Sequence, residues 1–317
     1  MAFFPRLRFL CAGVALLGCL HLAGAAELFP NVAPLPVHQI AQGIWGFAGA
    51  SALMDAVNEG GIANLGFVVG DEAVAVIDTG GSQREGMRLL AAIRAATDKP
   101  VRYVINTHVH PDHLFGNGAF EGIGATFVGH KNLPLALATR GPYYLGSFKA
   151  TMGEALLADV RLVPPTLLVD KEVILDLGQR RLVLRAWQTS HSDTDVTVLD
   201  ETSGTLFSGD LVFLQHVPVI DGSILGFLAV IGDLAKIPAL RVVPGHGPVV
   251  ADWPQALAAQ KAYLDRLAAD LRGFIARGAS LAQAAPAAGQ SEKAKWDLFD
   301  AYNARNATTG FAELEWE

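Results

Sequence analysis

The sequence predicts an α/β fold of four layers, helix, sheet, sheet, helix (αββα), followed by a C-terminal helical extension. Three observations predict it. Short apolar strands recur in two groups, with helical stretches set between the groups. Of 317 residues, 51% are hydrophobic and 17% charged, enough for the large core that two stacked sheets require. From Asp252 onward the apolar residues recur at helical spacing. The same composition excludes a disordered, collagen-like or coiled-coil chain.

Residues 1–25 read as a secretory signal. Arg6 and Arg8 precede an apolar run over residues 9–20, and Ala23-Gly24-Ala25 offers the small residues at which a signal peptidase cuts. The expected location is therefore periplasmic or secreted. Leu16-Leu17-Gly18-Cys19 gives an alternative, a lipid anchor on Cys19. Both cysteines, Cys11 and Cys19, fall in this segment, so the processed chain has no disulfide to stabilise it.

Residues 26–250 form the expected catalytic domain. Residues 37–50, 62–69 and 73–77 alternate apolar and small side chains and read as strands. Ser82 caps a helix carrying Met87, Leu90, Ile93 and Arg94, which ends near Thr97 before Lys99-Pro100. Residues 101–106 and 125–129 are further strands. Residues 166–187 read as hairpin strands turning at Leu177-Gly178-Gln179-Arg180, 195–199 and 205–208 as another pair, and 241–243 as a last short strand. Residues 224–231 are far shorter than the ~18 apolar residues of a membrane span and read as a buried helix. Residues 251–317 form the extension. Asp252 and Gln255 make a capping pair, Leu257, Leu264, Leu267, Leu271 and Ile275 share one face, and Gly278 ends that helix. Ser291 starts another with Trp296, Phe299 and Tyr302. This tail reads as packing docked on the sandwich.

The chemistry is concentrated in loops that follow strands. Asn106-Thr107-His108-Val109-His110-Pro111-Asp112-His113 leaves a strand end, where residues two apart face the same side, so His108 and His110 can share an ion. Pro111 turns the chain and aims Asp112 and His113 back at the same place. Three imidazoles within six residues would repel one another in an apolar neighbourhood without a cation. Three other loops add donors: His191 in Thr189-Ser190-His191-Ser192, Asp210 after Leu206-Phe207-Ser208-Gly209, and His246 in Pro244-Gly245-His246-Gly247-Pro248. His38 and His130 read as structural. His216, Asp221 and Ser223, in the stretch after Asp210, are candidate substrate contacts, and Tyr143 and Tyr144 read either as a lid or as core.

With these residues in order, the chain resembles the metallo-β-lactamase superfamily of metallohydrolases over about residues 35–250. The resemblance implies a metallo-β-lactamase-like αββα sandwich with two zinc ions at the sheet edge. His108, His110 and His191 would hold one, Asp112, His113 and His246 the other, and Asp210 would bridge them. Ile77-Asp78-Thr79-Gly80 also matches, with Asp78 supporting the turn and the ligands. The bridging Asp210 departs from the cysteine or serine of the zinc β-lactamases, and His110 from the glutamate of the di-iron oxygen reductases. The export segment, residues 210–226, Arg305-Asn306-Ala307-Thr308 and Glu313-Leu314-Glu315-Trp316-Glu317 resemble the periplasmic quinoprotein relay system zinc metallohydrolases. That branch implies a functional link to a quinoprotein dehydrogenase and to alcohol oxidation dependent on pyrroloquinoline quinone (PQQ).

Imidazole and carboxylate donors without thiolate suit zinc, and also iron or manganese. Two such ions lower the pKa of a bridging water from 15.7 toward about 7, and Asp112 is the candidate catalytic residue that orients it and moves its proton. The expected activity is hydrolysis of an ester, thioester or lactone. The substrate is a small molecule, anionic or with a polarised carbonyl, since two dications outweigh the two aspartates. A formal net charge of −7 with no Lys/Arg run argues against nucleic acid as a partner. The alternatives are a mononuclear iron persulfide dioxygenase using His108, His110 and His191, and a non-catalytic partner of a quinoprotein dehydrogenase.

Overall fold

The computed structural model describes residues 1–2 and 32–317, so the expected signal segment, with Cys19 and the cleavage site, lies outside the described residues apart from Met1 and Ala2. A first sheet of seven strands runs in chain order: β1 (His38–Ala41), β2 (Ile44–Phe47), β3 (Leu65–Val69), β4 (Val74–Ile77), β5 (Val101–Ile105), β6 (Thr126–His130) and β7 (Leu167–Val169). The helices α1 (Gln83–Ala96), α2 (Pro111–Leu114), α3 (Leu133–Met152) and α4 (Glu154–Leu157) connect its later strands. The second sheet contains β8 (Glu172–Asp176), β9 (Arg181–Ala186), β10 (Val196–Asp200), β11 (Thr205–Phe213), β12 (Arg241–His246) and β13 (Ala251–Asp252), ordered β13-β12-β11-β10-β9-β8. The helices α5 (Ile224–Leu234), α6 (Leu257–Ala276), α7 (Leu281–Ala284) and α8 (Phe299–Leu314) complete it.

The four layers follow from strands that are apolar on both faces. In β4, Ala75 and Ile77 face the second sheet, where they join Leu182, Leu184, Val198 and Phe207. Val74 and Val76 face the other way, onto Leu89, Leu90 and Ile93 of α1. Ser82 does cap α1, its hydroxyl accepting the Glu85 N–H at 3.2 Å. The outer face of the second sheet is covered by α5, α6 and α8 in one core that includes Leu206, Val242, Phe227, Tyr263, Leu264 and Phe311. The C-terminal helices are therefore part of the fourth layer. No helix among the described residues is long and apolar enough to cross a membrane.

The sequence reading departs from the structure at several places; β7 leaves the expected hairpin to pair with β6 in the first sheet, and β11 runs on from Ser208 to Phe213. Residues 37–50 form the hairpin β1–β2 rather than one strand, because the chain turns at residues 42–43. Asp252 is paired with Arg241 in β13, so it does not cap a helix, and α6 begins only at Leu257. Ser291 lies in a short 3-10 turn (Gln290–Lys295), and the helix that follows starts at Phe299.

Candidate metal centre

The strand ends of the two sheets meet on one edge of the sandwich, and all seven expected ligands lie there. β5 delivers Thr107, His108 and His110, and Pro111 starts the single turn α2 that carries Asp112 and His113. β11 delivers Asp210, β12 ends on His246, and the loop before β10 carries His191. Two glycines make room. A Cβ on Gly209, whose φ is +51°, would lie 2.6 Å from the Thr107 side chain, and one on Gly245 would lie 1.9 Å from Asp210 Oδ1.

The donors fall into two buried groups: His108, His110, His191 and Asp210, and Asp112, His113 and His246. In the first, His110 Nδ1 lies 3.0 Å from both His108 Nε2 and His191 Nε2. In the second, Asp112 Oδ2 lies 3.5 Å from His113 Nε2 and 3.3 Å from His246 Nε2. Asp210 stands between them, Oδ2 at 3.4 Å from His191 Nε2 and 3.5 Å from His246 Nε2, and Oδ1 at 3.1 Å from His113 Nε2.

The outer nitrogens determine what the inner ones present. His191 Nδ1 meets the Val219 carbonyl at 2.8 Å and His246 Nδ1 the Ile62 carbonyl at 3.0 Å, and a carbonyl only accepts. His113 Nδ1 donates to Asp78 Oδ2 at 2.7 Å. Thr107 Oγ1 gives its proton to Asp78 at 2.7 Å and so accepts from His108 Nδ1 at 3.0 Å. His110 turns Nε2 to Asp221 Oδ2, 2.8 Å away, an ion-pair distance without the alignment of a hydrogen bond. Every ring thus directs a lone pair inward, the arrangement that outer partners impose on metal-ligating histidines.

These residues fit a pair of metal ions. Lone pairs 3.0 Å apart repel unless a cation lies between them, and nitrogens about 2.0–2.1 Å from a tetrahedral ion are about 3.3 Å apart. His113 Nε2 and Asp210 Oδ1 are buried with no hydrogen-bond partner among the described residues. The electrostatics differ between the two groups. Burial holds His108 and His191 below the usual imidazole range. For His113 and His246 burial acts the same way, but the carboxylates, Asp210 first, outweigh it; His113 is raised well above its ordinary value and His246 to about 9. Burial would raise Asp112, yet His113 and His246 bring it to about 2.

A cavity of about 570 Å³ opens onto the cluster. Leu53, Met54, Ile62 and Phe148 give it an apolar wall, and Tyr144 stacks edge-on to His110 with ring centres 6.1 Å apart. Among the described residues lining it, Arg305 carries the permanent positive charge. His216 lines it as well, its Nδ1 at 2.6 Å from the Val217 carbonyl and its ring 5.0 Å from that of His246. Asp221 lines the cavity too, whereas Ser223 corrects the sequence reading. The Asp221 carboxylate pairs with His110 through one oxygen and with Arg305 through the other. Ser223 caps α5 through Gly226 N–H at 2.7 Å and donates to Glu313 at 2.5 Å, outside the cavity lining. His130 accepts from the Asn132 N–H at 3.1 Å and is structural, while His38 is exposed on β1. Tyr143 sits exposed at the rim.

Sequence reasoning missed Asn64, Tyr302, and the roles of Arg305 and Asn306. Asn64 Nδ2 donates to the Pro244 and Gly247 carbonyls at 2.9 and 3.2 Å, clamping the turn that carries His246. Nothing near Asn64 in sequence signals this; its partners are 180 residues away. Tyr302 and Arg305 share a helical face and both line the cavity.

The family model described as the metallo-beta-lactamase superfamily matches residues 58–246. Among solved structures, a metallo-beta-lactamase from Pontibacter korlensis is similar with a TM-score of 0.59 at 21% identity, covering 73% of this chain and 99% of that one. One from Hirschia baltica is similar with a TM-score of 0.57 at 18% identity, covering 73% and 97%. At such identities the likeness is one of fold. A linear primary-alkylsulfatase from a Pseudomonas strain is 41% identical over 49 residues, which is 16% of this chain and 9% of the sulfatase. The match to that curated relative therefore spans less than a tenth of its length.

Proposed function

The chain belongs to the metallo-β-lactamase superfamily, and from that premise we propose that it is a metal-dependent hydrolase that uses two metal ions, zinc by expectation, to cleave an ester, thioester or lactone. The observation that carries this reading is the convergence of inward lone pairs from five histidines around Asp210. His108, His110 and His191 would hold one ion, Asp112, His113 and His246 the other, with Asp210 between. The complete second group supports two ions over the single iron of a dioxygenase.

Bound ions would supply two things side chains lack, a water pKa lowered from 15.7 toward about 7 and Lewis-acid polarisation of the scissile carbonyl. The chain's own residues do the rest. Asp112 lines the cavity and stays ionised, so its carboxylate can accept a hydrogen bond from the attacking water and pass the proton toward the leaving group. The apolar wall of Met54, Ile62 and Phe148 excludes water from one side of the substrate. His216 and Asp221 face the same space and are the remaining candidate substrate contacts.

Export is supported by the signal-like residues 1–25, and placement in the quinoprotein relay branch, with its link to a PQQ-dependent dehydrogenase, by residues 210–226 and the C-terminal segment. The local likeness to an alkylsulfatase adds sulfate esters to the substrates worth screening. The test is metal content per chain, followed by hydrolysis of thioesters, lactones, sulfate esters and β-lactams. Two zincs per chain and activity lost in Asp210→Ala are expected. An Asp210→Ala variant with both metals and full activity would overturn the reading, and one iron per chain would favour the dioxygenase.

A further inference from the structure

We propose that the C-terminal helix α8 is a positioning element for the three-histidine group, acting through the loop of residues 214–223. Two of the three rings in that group lean on this loop. His191 Nδ1 donates to the Val219 carbonyl at 2.8 Å, and His110 Nε2 faces Asp221 Oδ2 at 2.8 Å.

The loop hangs in turn on the C-terminal segment. Asn306, fully buried on α8, straddles Val219: its Nδ2 donates to the Pro218 carbonyl at 2.6 Å and its Oδ1 accepts from the Ile220 N–H at 3.0 Å. The next residue back, Arg305, pairs with the other oxygen of Asp221. Glu313, two turns on, accepts from Ser223 Oγ at 2.5 Å and from the Ile224 N–H at 2.8 Å where the loop enters α5. Just ahead of α8, the Asp297 carbonyl accepts from the Val217 N–H at 3.0 Å and the Asp297 N–H donates to the Gln215 carbonyl at 2.7 Å. One helix and the residues before it thus hold the loop at both ends and in the middle.

The second group is held differently. His113 leans on Asp78 and His246 on the Ile62 carbonyl, both belonging to the first sheet and its loops, as does the Thr107 that orients His108. The consequence is an asymmetry. Disturbing α8 loosens the ring partners of His110 and His191 and leaves the ring partners of His113 and His246 in place; His246 meets the loop only through the Leu214 N–H on its carbonyl, at 3.1 Å, and the His216 ring 5.0 Å away. Arg305 and Asn306 are positioning residues in this scheme. It rests on the two-metal reading above.

The test uses the full chain and zinc affinity by competition with a chromophoric chelator. The groups are read separately by deleting one ligand of the other: His246→Ala leaves the three-histidine group intact, and His191→Ala leaves Asp112, His113 and His246. Asn306→Ala is expected to weaken zinc at the three-histidine group about 10–100-fold, the usual effect of losing an outer partner, with the other group changed less than about twofold. Arg305→Met should act the same way more weakly, and Arg305→Lys, which keeps the charge beside Asp221, should restore part of the loss. If Asn306→Ala fails to fold, the half-exposed Arg305 pair still decides the matter. Wild-type zinc affinity at the three-histidine group in both Asn306→Ala and Arg305→Met, or equal weakening at the two groups, overturns this proposal alone. A wild-type chain that binds no zinc at either group overturns the two-metal reading and this one with it.

Discussion

At the scale of single residues, one carboxylate organises much of the centre without being counted among the ligands. Asp78 accepts from the Thr107 N–H at 2.8 Å, from its hydroxyl, and from His113 Nδ1, so it holds the β5 end and the tautomers of His108 and His113 together. Asp78→Ala is therefore expected to weaken zinc binding about 10–100-fold, measurable by chelator competition. Glu85, the third residue of α1, is the other telling carboxylate. Burial is the main cause that raises its pKa from 4.5 to about 8, although its Oε2 accepts the Gly81 N–H at 2.8 Å. The folded chain then keeps a proton on Glu85 that the unfolded chain releases above about pH 4.5. Its contribution to stability is full below that pH and is lost as pH rises through 8. Glu85→Gln, compared with wild type at equal metal load by urea unfolding, should gain relative stability between pH 5 and 8. Each tenfold difference in proton affinity between the folded and unfolded chain is worth ~1.4 kcal/mol, so the gain is of order 2–4 kcal/mol. Parallel pH curves would show that Glu85 is ionised in the fold. The ligand residue types were legible in the sequence because His-x-His-x-Asp-His carries four of them in one run and the other three follow predicted strands. Which nitrogen each ring offers was not, because that is decided by partners as remote as Val219 and Ile62.

At the scale of elements, the site is a product of where strands stop. β11 and β12 run parallel and side by side, and Asp210, beside the irregularity at Gly209 within β11, stands against His246 at the end of β12. Gly245 is what permits this, since a Cβ there would overlap the Asp210 carboxylate. Gly245→Ala is expected to displace Asp210 and to lower metal content at both groups at once, because Asp210 faces both. A variant that retained two metals with unchanged activity would show that the carboxylate can move aside. The strand ends themselves were readable from apolar runs that break at Asp78, His108 and His246. The helix α3 was not. Gly141, Pro142 and Gly146 fall within it and would ordinarily mark a loop, yet Leu133, Ala136 and Leu137 are buried against Val109, Leu114 and Phe115. Tertiary burial overrode weak local preference.

At the scale of the whole molecule, the metal centre draws on both halves of the sandwich: each group of donors spans both sheets, and the supports of the three-histidine group reach to α8. Anything that binds the folded chain and not the unfolded one stabilises it by mass action. Zinc in excess is accordingly expected to raise the melting temperature, and stripping with a chelator to lower it by several degrees; a melting temperature indifferent to zinc would mean that the cluster does not bind the ion in the folded chain. The C-terminal helices show where sequence reading stopped. Their apolar spacing identified them as packing, which they are, with Leu264, Leu267 and Phe311 in the core. Their polar residues Arg305 and Asn306 act across more than eighty positions of sequence, on Asp221 and Pro218, and no local pattern encodes such a pairing. By itself the sequence determined the layered fold and the identity of the seven donors, because strand periodicity and residue chemistry are local properties of the chain. The division of those donors into two groups came with the family resemblance; only the tertiary structure decided the inward lone pairs and the supporting role of α8, because both depend on atoms that the fold brings within hydrogen-bond distance from opposite ends of the chain.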